Sequence, residues 1–203
     1  MRDLIHYQRN LPHRLVPGES LFLTMRLAGS MPKIALEQLQ ADFEAAELAA
    51  LRSGYAGLDT YARQKRYFGR FDQLLDCPTA GLLWLQQSPI AKVVAESLHY
   101  FDKRYFQLVA YCVMPNHVHV VLTLANDDCS LLRSLQRFKS YTALQANRLL
   151  HRQGQFWQRE SYDHLIRDAT EMTRIISYVL ENPVKAGLTN DWQTWPYSYW
   201  RES

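Results

Sequence analysis

The segment F-Q-L-V-A-Y-C-V-M-P-N-H-V-H-V-V-L-T-L, residues 106–124, decides the fold of this chain. Residues 106–113 and 117–124 are two runs rich in aliphatic, β-branched and aromatic side chains. Only Met114-Pro115-Asn116 stands between them, and proline and asparagine are residues that favour a tight turn. The segment therefore predicts two antiparallel strands joined as a hairpin.

The sequence on either side of the hairpin predicts a helix and a strand before it and a helix and a strand after it. Apolar residues repeat at helical spacing in the two helices, and the strands are short apolar runs. In chain order the elements are a strand at 21–27, a helix from Ser88 to Phe101, the hairpin, a helix at 131–150, a strand at 162–167 and a helix from Asp168 to Asn182. This order predicts an α+β fold, a ferredoxin-like βαββαβ core with an antiparallel sheet and one added C-terminal helix.

Three further segments lie outside this core. Residues 35–53 have the composition of a helix, and residues 54–78 mix glycine, aromatic and charged residues, which predicts an inserted, irregular and partly helical segment. Residues 189–203 form an aromatic C-terminal tail that we expect to pack back onto the core. We expect residues 1–203 to form a single domain.

Composition excludes several classes of protein. With 47% hydrophobic and 21% charged residues, the chain of 203 residues has the composition of a globular domain. Its three cysteines include no C-x-x-C pair, which argues against a disulfide framework and a thiolate zinc site. There is no apolar run of 18 residues and no signal-peptide stretch, so we expect a cytoplasmic protein with no membrane contact.

Basic residues outnumber acidic ones between Leu131 and Arg174, where eight Lys/Arg stand against four Asp/Glu. The net charge of +3 is too small to indicate a polyanionic partner by itself. Basic side chains interleaved with aromatic ones suit single-stranded nucleic acid, because cations follow the phosphates and rings stack on the bases. An ordinary solvated basic surface fits this composition equally well. The candidate DNA-binding residues are Arg133, Arg137, Lys139, Arg167, Arg174 and Lys185.

His117-Val118-His119 lies on the second strand of the predicted hairpin. Because side chains alternate along a strand, both imidazoles point to one face of the sheet while Val118 points to the other. Two buried imidazoles on one face need polar partners, and a shared cation is one such partner. His117 and His119 are therefore candidate metal ligands.

The final predicted helix supplies a candidate nucleophile. Met172, Ile175, Ile176 and Val179 define its apolar stripe, and Tyr178 lies beside that stripe rather than within it. Asn182 follows Tyr178 by one helical turn, so the phenol and the amide can face the same volume. Pro183 is expected to end the helix.

Three separated motifs together resemble one known family. Y-C-V-M-P-N-H-V-H-V-V-L at 111–122, G-Q-F-W-Q-R-E-S-Y-D-H-L-I-R-D at 154–168 and Y-V-L-E-N-P-V-K-A-G-L at 178–188 occur in the order found in the single-tyrosine HUH transposases, which are IS200-like. They resemble in particular the REP-associated tyrosine transposase branch of that family. The N-terminal segment 11–27 also fits that branch, so the resemblance covers most of the chain apart from 54–78.

The resemblance implies a function and a set of roles. Such transposases cleave and rejoin single-stranded DNA at hairpins of repetitive extragenic palindromes through a 5′-phosphotyrosine intermediate. Carried over to this sequence, Tyr178 is the nucleophile, and His117, His119 and Asn182 are ligands of Mg²⁺ or Mn²⁺. Related transposases usually have glutamine where this chain has Asn182. The resemblance also implies a bacterial, nucleoid-associated protein, and it leaves open a monomer or a homodimer that exchanges the tyrosine helix.

Three alternatives remain open on the sequence alone. Tyr141 with Gln145 forms a second Tyr-x-x-x-Gln pair, so Tyr141 is an alternative nucleophile. A catalytically silent module that only binds single-stranded DNA hairpins would also fit the basic and aromatic composition. A zinc hydrolase built on the two histidines would need an acidic ligand, for which Asp127 and Asp128 are the nearby candidates.

Overall fold

The computed structural model describes residues 18–52, 60–76, 82–124 and 131–202, and within them it has the predicted α+β architecture. These residues include five strands, which form one sheet, and five α-helices. In chain order they are β1 (Ser20–Arg26), α1 (Lys33–Arg52), α2 (Thr60–Leu75), α3 (Ser88–Phe101), β2 (Gln107–Val113), β3 (His117–Thr123), α4 (Leu131–Leu149), β4 (Tyr162–Ile166), α5 (Ala169–Lys185) and β5 (Ser198–Trp200).

The sheet has the strand order β4-β1-β3-β2-β5, and all its neighbouring strands are antiparallel. The predicted hairpin is confirmed, since β2 pairs with β3 and the turn is closed by the Met114 N–H donating to the His117 carbonyl. β1 lies between β3 and β4. In the register of β1 with β3, Thr24 is the cross-strand partner of His119. The connections β1-α3-β2 and β3-α4-β4 are those of the ferredoxin-like core.

One face of the sheet carries the hydrophobic core under α3 and α4. Every second side chain of β1 and of β3 points into this core, because side chains alternate between the two faces of a sheet. Among them are Leu21, Leu23 and Met25 of β1 and Val118, Val120 and Leu122 of β3, which pack with Ile90, Val94 and Leu98 of α3 and with Leu131, Phe138 and Ala146 of α4.

α5 contacts β2 and β3 on the opposite face of the sheet. Asp168 caps its N-terminus by accepting from the Glu171 N–H. The expectation that the helix ends at Pro183 is wrong, because α5 runs on to Lys185. A proline in the last turn of a helix removes only one hydrogen bond, the one that its missing N–H would have donated. After Lys185 the chain leaves the helix through a Schellman motif, in which Gly187 has a φ of 68° and the N–H of Leu188 donates to the Pro183 carbonyl.

The predicted insertion contains a second helix beside the first. The described residues between Gly29 and Leu82 form a compact unit of their own, in which α1 and α2 pack against each other. Phe43 and Tyr67 meet with ring centroids 5.0 Å apart, and Arg63 Nε donates to Glu47 Oε1 at 2.7 Å. The insertion is thus partly helical as expected, while residues 53–59 and 77–81 lie outside the described residues.

The aromatic tail packs on the core, as expected. β5 pairs with the free edge of β2, and the Trp195 indole N–H donates to the Val113 carbonyl at 3.0 Å. Tyr199 stacks on Tyr111 with ring centroids 5.6 Å apart, and Arg201 pairs with Asp102. In the part of the chain that the structure describes, no helix is long and apolar enough to span a membrane.

The buried phenol of Tyr111 should make the free energy of unfolding depend on pH in the alkaline range. Burial, with smaller contributions from Tyr199 and Cys112, raises the pKa of Tyr111 from 10.0 to about 12. The unfolded chain therefore releases this proton first, and the stability that the buried phenol contributes below pH 10 is lost as the pH rises toward 12. We expect the unfolding free energy to fall by about 1 kcal/mol more between pH 9 and pH 11 in the wild type than in Tyr111→Phe.

Urea denaturation at the two pH values measures this difference. Tyr197→Phe provides the control for removing a tyrosine hydroxyl near the same tail. Equal pH dependence in wild type and Tyr111→Phe would contradict the assignment.

Candidate active site

Two imidazoles converge on the face of the sheet that α5 covers. His117 and His119 are 1% and 0% exposed, and their Nε2 atoms lie 3.0 Å apart. The strand alternation predicted this placement, since residues two apart on β3 share a face. Nε2 is a nitrogen through which histidine binds metals, so the pair offers two ligand atoms directed at one small volume.

Two neighbouring polar side chains orient these rings. His117 Nδ1–H donates to Asn116 Oδ1 at 2.6 Å, which leaves the Nε2 lone pair of the neutral ring on the side of His119. His119 Nδ1 forms a hydrogen bond with Thr24 Oγ1 at 2.9 Å. Because a hydroxyl both donates and accepts, Thr24 supports either tautomer of His119. Second partners of this kind are typical of histidines that bind metals.

The sequence reasoning missed both orienting residues. Asn116 was interpreted only as a turn residue, although its position immediately before His117 is a usable signal. Thr24 could be found only through the register of β1 with β3, since the two residues are 95 positions apart.

Tyr178 lies beside the histidines. Its ring centroid is 5.5 Å from that of His119 and 5.9 Å from that of Phe22, which meets it edge-on at 89°. Phe22 in turn stacks on His119 at 5.5 Å with an interplanar angle of 27°. The three rings, from β1, β3 and α5, thus form one aromatic cluster in which Tyr178 is partly exposed.

Asn182 is a buried residue of α5, one helical turn beyond Tyr178. It is 1% exposed, and its Nδ2 donates to the Tyr178 carbonyl at 3.2 Å. Its Oδ1 is buried and has no hydrogen-bond partner among the described residues. A buried amide oxygen costs free energy unless it is satisfied, and a divalent cation would satisfy it. The two imidazole nitrogens favour a divalent transition metal, whereas the amide oxygen also suits Mn²⁺ or Mg²⁺.

A polar cluster fastens the start of α5 to β4. Glu171 is 3% exposed and accepts from the Arg167 N–H at 2.9 Å, from Arg167 Nε at 3.2 Å and from His164 Nε2 at 3.1 Å. The His164 ring is thus hydrogen-bonded within this cluster. The cluster orients α5 through its first turn.

The other candidate residues lie elsewhere. Tyr141 is 52% exposed on α4, the helix that covers the opposite face of the sheet from the histidines. Lys139, also on α4, donates to the backbone carbonyls of Gln158 and Arg159 at 2.9 and 3.1 Å. The remaining basic candidates are exposed, with Arg133 and Arg137 on α4, Arg167 between β4 and α5, and Arg174 and Lys185 on α5.

Five of the six basic candidates therefore lie on helices that cover opposite faces of the sheet, and Arg167 lies in the connection from β4 to α5. Lys185 contacts a side chain on the histidine face, because its ammonium lies 4.6 Å from the Tyr178 ring centroid. Asp127 and Asp128, the acids that a zinc hydrolase would need, lie outside the described residues.

Known proteins provide an independent comparison. Residues 84–182 match the family described as "Transposase IS200 like". A REP-associated tyrosine transposase of Haemophilus influenzae is 34% identical over 102 residues, which are 46% of this chain and 58% of that protein. The REP-associated tyrosine transposase of Escherichia coli is 28% identical over 97 residues, 47% of this chain and 54% of its own length. The matches thus span little more than half of each curated relative.

A solved structure shares the fold. It is the structure of a REP-associated tyrosine transposase bound to a REP hairpin, with a TM-score of 0.52 and 16% identity over 94% of this chain and 82% of that one. The resemblance drawn from the three sequence motifs is confirmed: residues 84–182 match the IS200-like transposase family, and the curated relatives that this chain matches are REP-associated tyrosine transposases.

Proposed function

We propose that this protein cleaves and rejoins single-stranded DNA, with Tyr178 as the nucleophile and His117, His119 and Asn182 as the ligands of a divalent cation. One observation carries the proposal: a partly exposed tyrosine on α5 lies 5.5 Å, centroid to centroid, from one of two buried imidazoles whose Nε2 atoms converge. A nucleophile and a cation site close together are what phosphoryl transfer requires.

The chain's own groups perform the transfer. Tyr178 Oη forms a bond to the phosphorus while the bond from phosphorus to the 3′ oxygen breaks, which leaves a 5′-phosphotyrosine and a 3′-hydroxyl. The phenol proton is lost and the 3′ oxygen gains a proton, so charge and atoms balance. Another 3′-hydroxyl can reverse the step, and the same site therefore cleaves and joins.

A bound Mg²⁺ or Mn²⁺ would supply Lewis-acid stabilisation of charge on the phosphate oxygens. His117 and His119 would hold it through Nε2, and the buried Asn182 Oδ1 would gain the partner it needs. Asn116 and Thr24 would keep the imidazole lone pairs directed at the cation.

The proposed substrate is single-stranded DNA containing a hairpin of the repetitive extragenic palindromic type. The family match and the relatives' names support this choice, as does the fold shared with a transposase solved on a REP hairpin. A protein that acts on such DNA would work in the bacterial cytoplasm, at the nucleoid.

The covalent intermediate provides the first test. The protein, Mn²⁺ and a labelled single-stranded oligonucleotide, with a hairpin taken from the DNA that flanks its gene, should give a covalent protein–DNA band on a denaturing gel. Tyr178→Phe should abolish the band because no other group replaces the phenol oxygen. Tyr141→Phe should leave it unchanged, since Tyr141 is exposed on the far side of the sheet.

The alternatives give different results in the same experiment. Loss of the band in Tyr141→Phe alone would move the nucleophile to α4. Native binding of the hairpin with no covalent band in the wild type would establish the silent binding module instead.

Metal affinity provides the second test, and it needs no DNA. Asn182→Ala should weaken Mn²⁺ binding by about 10-fold or more, and His117→Ala should weaken it further, because each removes a ligand atom. Free Mn²⁺ measured by electron paramagnetic resonance gives the affinity. Asn147→Ala is the matched control, because it also replaces a helical asparagine whose Nδ2 donates a hydrogen bond to a backbone carbonyl, that of Gly154. An Asn182→Ala protein that melts like the wild type and binds Mn²⁺ equally well would exclude Asn182 as a ligand.

Mixing variants tests whether the site is complete in one chain. The contacts of α5 with β2 and β3 of its own chain support a site formed in cis. His117→Ala and Tyr178→Phe should then both be inactive, and a mixture of the two should remain inactive. Covalent adduct formed by the mixture would show that a partner chain supplies the tyrosine helix, as in relatives that exchange it.

A further inference from the structure

The ammonium of Lys185 lies beside the proposed nucleophile. Its Nζ lies 4.6 Å from the centroid of the Tyr178 ring, over the ring face. Tyr178, Asn182 and Lys185 stand at i, i+4 and i+7 on α5, so all three follow one stripe of the helix. Lys185 also lies three residues beyond the segment that matches the transposase family.

The three members of this stripe differ in burial. Asn182 is buried, Tyr178 is partly exposed and Lys185 is exposed. The cation therefore stands on the solvent side of the nucleophile, the side from which a DNA strand must approach. A lysine near a helix C-terminus also interacts favourably with the helix dipole, and that role requires no contact with a tyrosine.

We propose that Lys185 is a further catalytic residue, which binds a nonbridging oxygen of the phosphate that Tyr178 attacks. The inference rests on the proposed function. During attack, negative charge builds up on the phosphate oxygens, and a lysine ammonium beside the phenol stabilises that charge in addition to the divalent cation. Lys185 takes no proton and forms no covalent bond, so the atoms of the transfer are unchanged.

A residue that stabilises only the transition state has a distinctive signature. The cleavage and rejoining steps share one transition state, so loss of Lys185 slows both to the same extent. The fraction of protein present as the covalent adduct at equilibrium then stays constant. A lysine that only binds DNA in the ground state instead weakens affinity and lowers the dependence of binding on salt, by about 0.7 in the logarithmic slope for one phosphate of a single strand.

Single-turnover cleavage of the labelled hairpin oligonucleotide by saturating protein with Mn²⁺ tests the proposal. Lys185→Met should lower the rate of adduct formation about 10- to 100-fold, and Lys185→Arg should retain most of it because the positive charge is kept. Hairpin affinity and the equilibrium fraction of adduct should change little. Lys92→Met is the matched control, since Lys92 is exposed on α3, across the sheet from Tyr178.

The possible failures are distinguishable. If the wild type forms no adduct, the proposed function falls and this inference falls with it. If the wild type forms the adduct and Lys185→Met forms it equally fast at saturation, only the inference is overturned, whether or not affinity changes. Equal loss in Lys185→Met and Lys185→Arg, with unchanged thermal melting, would also overturn it, because charge would not be the cause.

Discussion

Burial of β3 on both of its faces is the constraint on which the rest of the structure depends. Val118, Val120 and Leu122 fill the core beneath α3 and α4, which commits the alternate residues to the other face. His117 and His119 are consequently withdrawn from water almost completely. Polar rings in that position must be satisfied by other groups, and this requirement explains the presence of Asn116 and Thr24.

The neighbouring strand β1 links the buried histidines of β3 to α5, the helix that covers them. Phe22 stacks on His119 and meets Tyr178 edge-on, so one side chain contacts both the candidate metal ligand and the candidate nucleophile. The hydrogen bond between Glu171 and His164 of β4, together with the packing of α5 on β2 and β3, limits how the helix can slide or rotate. The phenol is thereby held by contacts of α5 with three strands.

Much of this arrangement could be predicted because it follows from local periodicity. Alternation along β3 places both histidines on one face, and helical spacing sets Tyr178 and Asn182 one turn apart. The end of α5 was misjudged because the cost of Pro183 is small in a last turn, where Gly187 rather than proline stops the helix. The roles of Phe22 and Thr24 depend on strand register across about 100 residues, and β5, only three residues long, is too short to show periodicity.

The tail has a consequence for shortened versions of this protein. β5 occupies the hydrogen-bonding edge of β2, and the Trp195 indole caps the Val113 carbonyl at its end. A chain cut before Ser198 would present the amides and carbonyls of a long, apolar strand to solvent, and such an edge readily recruits another strand. Truncation here is therefore a route to insoluble, cross-β association, and the tail acts as the domain's own protection against aggregation.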